Sequence, residues 1–208
     1  MKIYWLILLV AFSCQSNKHA PPVPAIPPPP VEKQVVALQP FRGADKRIVD
    51  WLTAGIPAAL QVRLVVLEPA ELPAAAWYRP RVRYIADSLL VFLDKKAAGK
   101  YSRVIGYTDK DISTRKGDIA NWGVLGLGSC PGRSCVISGF RAGKNKVGET
   151  QLKARMITLA LHELGHTWGL QHCADRACLM KDAQGKMNRD DANTYCKKCR
   201  NYLNRMGL

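Results

Sequence analysis

An α+β domain, with helices packed on a mixed sheet, is what the sequence predicts, and three observations carry it. Candidate strands and helices interleave along the chain without any internal repeat. Hydrophobic residues make up 48% of the 208 positions, enough for a sizeable core. One long C-terminal helix gathers most of the chemistry: three of the chain's four histidines fall in or just after it.

The first residues do not belong to that domain. Met1 and Lys2 lead into the apolar run "IYWLILLVAF", then Ser13 and Cys14. The run is too short for a membrane-spanning helix, which needs roughly twenty residues, and has the length of a signal-peptide core. Ser13–Cys14 resembles the cleavage box of bacterial lipoproteins, so residues 1–14 are expected to be a lipoprotein-type signal with Cys14 as the lipidated residue. An ordinary secretory signal or an uncleaved anchor is the alternative. Residues 15–39 are read as a linker. Seven prolines between Pro21 and Pro30 exclude helix and sheet and favour a stiff polyproline II spacer. The domain is taken as residues 40–208, and its expected location is the cell envelope, periplasm-facing or secreted.

Within the domain, "ADKRIVDWLTAG" (44–55) spaces Ile48, Val49 and Leu52 for a short helix ending at Gly55. "LQVRLVVLEP" (60–69) is β-rich and stops at a proline, as a strand does. Residues 81–99 place Val82, Ile85, Leu89, Phe92 and Leu93 on one face of a long helix. "SRVIGYT" (102–108) predicts a strand, and "NWGVLGLG" and "SCVISGF" predict two more around a Gly/Pro-rich turn. Residues 148–169 form the histidine-bearing helix, and a final helix is expected from Asp190 onward.

The formal charge of +15 is spread through the domain. No aromatic-basic stacking motif accompanies it, so nucleic acid is not an expected partner. Anionic envelope surfaces or acidic substrates fit the charge better, with simple solubility as the plainest account. A monomer is expected.

His162 and His166 stand four apart, so their rings share one helix face and can bind one metal ion. Gly169 can turn the chain back and bring His172 in as third ligand. Five specified residues in His-Glu-x-x-His-x-x-Gly-x-x-His make a chance match on the order of one in 10⁵, which favours zinc over satisfied core histidines. Three neutral histidines leave the ion its charge, so a bound water acidifies to a pKa of about 7. Glu163, beside the ion, is the expected general base, and the predicted reaction is amide hydrolysis. Met180 alone reads as core. Tyr107 and Tyr195 are candidates for binding the oxyanion, with no spacing argument to select either.

The cysteines sharpen the reading. Cys173, Cys178, Met180, Cys196 and Cys199, following the three-histidine motif, resemble the signature of the archaemetzincin family of zinc metallopeptidases. The resemblance is close over the C-terminal quarter and looser upstream, at "VIGYTDKDI" and "VISGFRAGK"; the spacer between Met180 and Cys196 is shorter than is usual in the family. It implies a metzincin-like fold, in which a twisted mixed sheet carries a backing helix and an active-site helix above a smaller C-terminal part. It also implies two zinc ions per chain: a catalytic one on the three histidines, floored by Met180, and a structural one on the four cysteines. Disulfides are the competing reading of those cysteines in an oxidising compartment, but Cys-x-x-Cys is a better zinc half-site. Cys130 and Cys135 flank a short turn and could close a disulfide. The expected substrate is a peptide or protein. The competing functions are a zinc-bound peptide-binding protein with little turnover, which Glu163 argues against, and a zinc-ribbon nucleic-acid module, which leaves the histidines unexplained.

Overall fold

The computed structural model describes residues 34–143, 147–182 and 193–208. The signal-like run, Cys14 and the proline-rich segment lie outside the described residues. No helix among the described residues is long and apolar enough to cross a membrane.

The first described element overlaps the segment read as linker. Val35–Pro40 form β1, with five of six residues buried. Proline marked the linker, yet the proline-rich run ends at Pro30, and "VVAL" is the continuous apolar run of a strand covered on both faces. Helix α1 (Lys46–Ala59) follows, capped by Asp45, whose Oδ1 accepts from the Arg47 backbone N–H at 2.9 Å. It buries Ile48, Leu52 and Ile56 and runs past Gly55, with Pro57 in its last turn. Strand β2 (Arg63–Val66) is shorter than expected.

Next come β3 (Trp77–Tyr78), β4 (Arg83–Ile85) and helix α2 (Ala86–Ala97). The helix expected from residue 81 therefore begins five residues later. Val82 sits at φ 51° and is 71% exposed, and Tyr84 donates its backbone N–H to the Asp111 carbonyl at 2.9 Å. The sheet claims Arg83–Ile85, which local periodicity alone assigned to a helix face.

Strands β5 (Arg103–Thr108), β6 (Ile112–Lys116), β7 (Ile119–Val124), β8 (Gly126–Gly128) and β9 (Ser134–Ser138) complete the sheets. The run "NWGVLGLG" is not one strand. Its first half belongs to β7 in one sheet and its last three residues to β8 in another. The β6–β7 hairpin escaped the pattern reading because its middle is polar and largely exposed, so no apolar alternation marks it. Helices α3 (Gly139–Ala142), α4 (Glu149–Thr167) and α5 (Lys197–Asn204) follow.

The five-stranded sheet has the order β2-β1-β5-β9-β8, parallel except at β8–β9. A second sheet, β3-β4-β6-β7, has four short strands. Alternating residues of the central strands face opposite cores. Val36, Leu38, Ile105 and Ile137 pack with α1, α4 and the C-terminal segment. Ala37, Val104 and Val136 pack with α2. This is a mixed α+β architecture in which α4 lies against the sheet beside its antiparallel edge strand.

Candidate metal centre

Every residue of α4 from Thr158 to Thr167 is buried, so its C-terminal half presents little surface to solvent on any face. His162 and His166 emerge from this half one turn apart, their rings edge to face with centroids 4.6 Å apart. Each ring is held from behind. His162 Nδ1 lies 2.9 Å from the Leu179 carbonyl oxygen, and His166 Nδ1 lies 2.7 Å from that of Leu170. A carbonyl only accepts, so each Nδ1 carries the proton and each Nε2 turns its lone pair forward. The two Nε2 atoms then face each other at 3.0 Å.

The helix ends at Trp168, and Gly169 reverses the chain at φ 95°, a region costly for a side chain with Cβ. Its N–H donates to the His166 carbonyl at 2.8 Å, and the Leu170 N–H to the Gly165 carbonyl at 3.1 Å. This return places His172 with its ring centroid 5.5 Å from His162 and 5.0 Å from His166. One ligand nitrogen from each histidine falls in a group whose members all lie within 4.8 Å of one another.

The donor set can be tested against zinc. At a Zn–N length of about 2.0–2.1 Å, tetrahedral nitrogens stand roughly 3.3 Å apart. Lone pairs converging at 3.0 Å repel without a cation between them, and two imidazoles whose Nδ1–H groups are held by backbone carbonyls, with His172 beside them, are a donor set that suits the ion. The residues fit.

A second group lies alongside. The sulfur atoms of Cys173, Cys178, Cys196 and Cys199 also fall within 4.8 Å of one another, with Cys173 and Cys196 at 3.9 Å. Tetrahedral thiolates at about 2.3 Å from zinc stand roughly 3.8 Å apart, so these residues fit as well. The Cys178 Sγ accepts backbone N–H groups from Met180 at 3.4 Å and Cys196 at 3.3 Å. Burial pushes the Cys178 and Cys199 thiols up, while the Cys199 backbone N–H pulls Cys196 below its ordinary value. All four thiols are free of disulfides.

The two groups share a strut. Leu179, whose carbonyl holds His162, sits between Cys178 and Met180. Its own N–H donates to the Thr194 carbonyl at 2.8 Å, and Cys173 N–H donates to the Met180 carbonyl at 2.9 Å. Met180 is fully buried against α4, and a Cβ added at Gly165 would lie 2.7 Å from its Sδ. The methionine therefore lies under the histidine-bearing turn.

Glu163 is 6% exposed and points toward β8. A Cβ on Gly126 would stand 2.7 Å from Glu163 Cγ and 2.8 Å from its Oε1, and a Cβ on Gly128 would stand 2.6 Å from the Glu163 carbonyl oxygen. Glycine at both positions is what lets α4 approach this strand so closely. A cleft of about 570 Å³ opens here, lined by β7 and β8 on one side and by His162, Glu163, His166 and His172 on the other. The Gly-Leu-Gly alternation was visible in the sequence, but it read only as strand.

Other expectations are corrected. Tyr107 and Tyr195 do not line the cleft. Tyr107 donates to Asp109, and Tyr195 donates to the Leu161 carbonyl at 2.7 Å. Burial raises both phenols above their ordinary range, so they stay protonated while donating within the core. No disulfide joins Cys130 and Cys135: both are free, Cys135 buried in β9 and Cys130 exposed at the cleft. The alternation of β9 turns Cys135 into the core, away from the turn that suggested a bridge.

Comparison with known proteins follows the same line. The model for peptidase family M54 matches residues 45–205. An archaemetzincin from Methanopyrus kandleri is 35% identical over 159 residues, covering 76% of this chain and 87% of that protein. One from Halobacterium salinarum is 27% identical over 135 residues, covering 62% and 75%. The crystal structure of the Methanopyrus kandleri archaemetzincin superposes with a TM-score of 0.71 at 30% identity, covering 85% of this chain and 97% of that one. That of Archaeoglobus fulgidus archaemetzincin, complexed with malonate, shares the fold with a TM-score of 0.68 at 23% identity, covering 81% and 99%.

The packing of Met180 on Gly165 is directly testable. Gly165→Val forces the thioether off the helix and should destabilise the fold by about 1–3 kcal/mol, the usual cost of overpacking. Chemical denaturation against the parent protein measures it, and an unchanged midpoint would show that the turn yields freely.

Proposed function

The chain belongs to peptidase family M54 as a zinc metallopeptidase of the archaemetzincin kind, and from that premise we propose how its own residues divide the work. His162, His166 and His172 hold the catalytic zinc, and Cys173, Cys178, Cys196 and Cys199 hold a second, structural ion. When bound, the catalytic zinc supplies a Lewis acid that acidifies water and polarises the scissile carbonyl. Glu163 takes the proton of the attacking water and delivers it to the leaving amine. The observation that carries this reading is the position of Glu163, one residue from a ligand yet aimed along the cleft floor at Gly126.

Substrate enters as an extended peptide along β8. This strand ends its sheet, so its outer edge can pair with a peptide backbone, and its glycines leave room beside Glu163. Burial of the histidine-bearing half of α4 keeps bulk water from the back of the site. The backbone carbonyls of Leu170 and Leu179 fix the rings, so the ligands need little reordering as metal binds.

We further propose that Cys14 is lipidated and that the proline-rich segment tethers the domain at the cell envelope. The apolar run ending at Ser13–Cys14 and the prolines between Pro21 and Pro30 support this. Labelling with a fatty-acid probe should mark the parent protein and miss Cys14→Ser. Label that survives the substitution refutes the anchor.

Glu163→Ala should keep zinc and thermal stability while hydrolysis of a peptide library falls on the order of 10²–10⁴-fold, the range of acid–base catalysis. His162→Ala should lose metal as well as activity. Equal cleavage by parent and Glu163→Ala assigns the activity to a contaminant. Peptide binding by both with no cleavage by either makes this a binding protein.

Brief chelation should remove one zinc per chain and leave the other. The cysteine site is closed on all sides and coupled to folding, whereas the histidine site keeps an open position. Elemental analysis before and after treatment decides it, and simultaneous loss of both ions would contradict the division of roles.

A further inference from the structure

We propose that the cleft selects peptides carrying a carboxylate near the scissile bond, and that Arg141 is the cation that recognises it. The proposal rests on the peptidase reading and names the substrate class for that same site.

Arg141 projects from α3 and lines the cleft shared with His162 and Glu163. Its Nε lies 2.7 Å and its Nη2 2.9 Å from the two carboxylate oxygens of Asp111. Asp111 is buried and does not depend on Arg141 for charge balance. Arg83, itself mostly buried, reaches the same carboxylate through Nη2 at 3.1 Å. Two guanidinium groups on one carboxylate leave a surplus positive charge, and the surplus faces the cleft.

The guanidinium is also fixed in place. It packs closely against Gly123 in β7, where an added Cβ would fall 2.1 Å from Nη2 and 2.4 Å from Cζ. The two bonds to Asp111 engage Nε and Nη2 and leave Nη1 outside that pair. A planar donor group held by a buried carboxylate on one edge presents its remaining donors with little entropy left to lose. A structural ion pair alone would need neither the second arginine nor the glycine contact.

The surrounding charge points the same way. Among the described residues lining the cleft, Arg115, Lys116 and Arg141 are cationic, and Glu163 and Asp182 are acidic. Lys116 lies over the Trp122 ring at 4.8 Å, and Arg115 and Lys116 are exposed, so solvent and salt screen them. Arg141, with 28% of its side chain exposed, is screened least. An anionic group entering here meets a charge already desolvated, and a neutral isostere gains nothing from it.

The test uses zinc-loaded Glu163→Ala protein and four labelled alanine-rich hexapeptides. Two carry a central Glu or Gln with an amidated end. Two are uncharged within and end in a free carboxylate or an amide. At least one carboxylate form should bind about tenfold more tightly than its neutral match, the scale of a charged hydrogen bond. The Glu/Gln pair and the terminal pair separate a side-chain carboxylate from a chain end. Adding Arg141→Gln should abolish the discrimination, and Arg141→Lys should keep part of it. If Arg141→Gln fails to fold, Gly123→Ala displaces the guanidinium without removing the charge.

Equal binding of both matched pairs overturns the proposal, as does discrimination that survives a folded Arg141→Gln or Gly123→Ala protein. Hydrolysis by the parent separates the two readings. Cleavage of all four peptides at equal kcat/KM, with equal binding, leaves the peptidase and removes the selectivity. No cleavage, with discrimination intact, leaves the recognition and removes the peptidase mechanism.

Discussion

Two backbone carbonyls, those of Leu170 and Leu179, set the direction in which the central histidines face. An imidazole on a helix can rotate about two torsions, and either ring nitrogen can carry its proton. Here each Nδ1 is bound to an oxygen that can only accept, at 2.7–2.9 Å, which fixes ring orientation and tautomer together. Everything else around the site serves to place those two oxygens. The Gly169 reversal brings Leu170 back over the helix end, and the turn between Cys178 and Met180 presents Leu179.

This arrangement explains why four cysteines stand next to the histidines. The Leu179 carbonyl is useful only if the segment bearing it is held still, yet residues 170–182 contain neither helix nor regular strand. Backbone bonds to Cys178 Sγ, the Thr194 carbonyl and the Met180 carbonyl, together with the sulfur cluster, supply the rigidity that secondary structure would otherwise give. A metal ion on those thiolates would stiffen the segment further and couple its folding to metal binding. Cys173 and His172 are sequence neighbours, so order at one cluster is transmitted to the other through a single peptide bond.

The cleft wall is shaped by what is missing from it. Gly126 and Gly128 remove side chains where β8 meets Glu163, and Gly123 removes one where Arg141 packs. A carboxylate and a guanidinium thus reach the same cleft from opposite elements, each set against bare backbone. The smaller sheet, which carries β7, has little apolar alternation of its own. It is held by the buried Arg83–Asp111–Arg141 group and by packing against α2.

The local chemistry was legible in the chain because it depends on short spacings. A histidine pair four apart, a glycine three residues on and a Cys-x-x-Cys pair act through helix periodicity and turn geometry, which a few residues determine. For the same reason α1, α4, β5 and β9 were visible as apolar patterns. The limits are equally physical. β1 sits in the sheet because β2 and β5 pair with it, and Arg83–Ile85 become a strand because β3 and β6 lie alongside. The β6–β7 hairpin, the crossing from one sheet to the other at Leu125, and the removal of Tyr107, Tyr195 and Cys135 into the core all turn on contacts between residues far apart in the chain. So do the two carbonyls behind the histidines and the arginine at Gly123. A backbone oxygen or a bare Cα has no signature in the sequence, and only the packing of distant segments makes it part of a site.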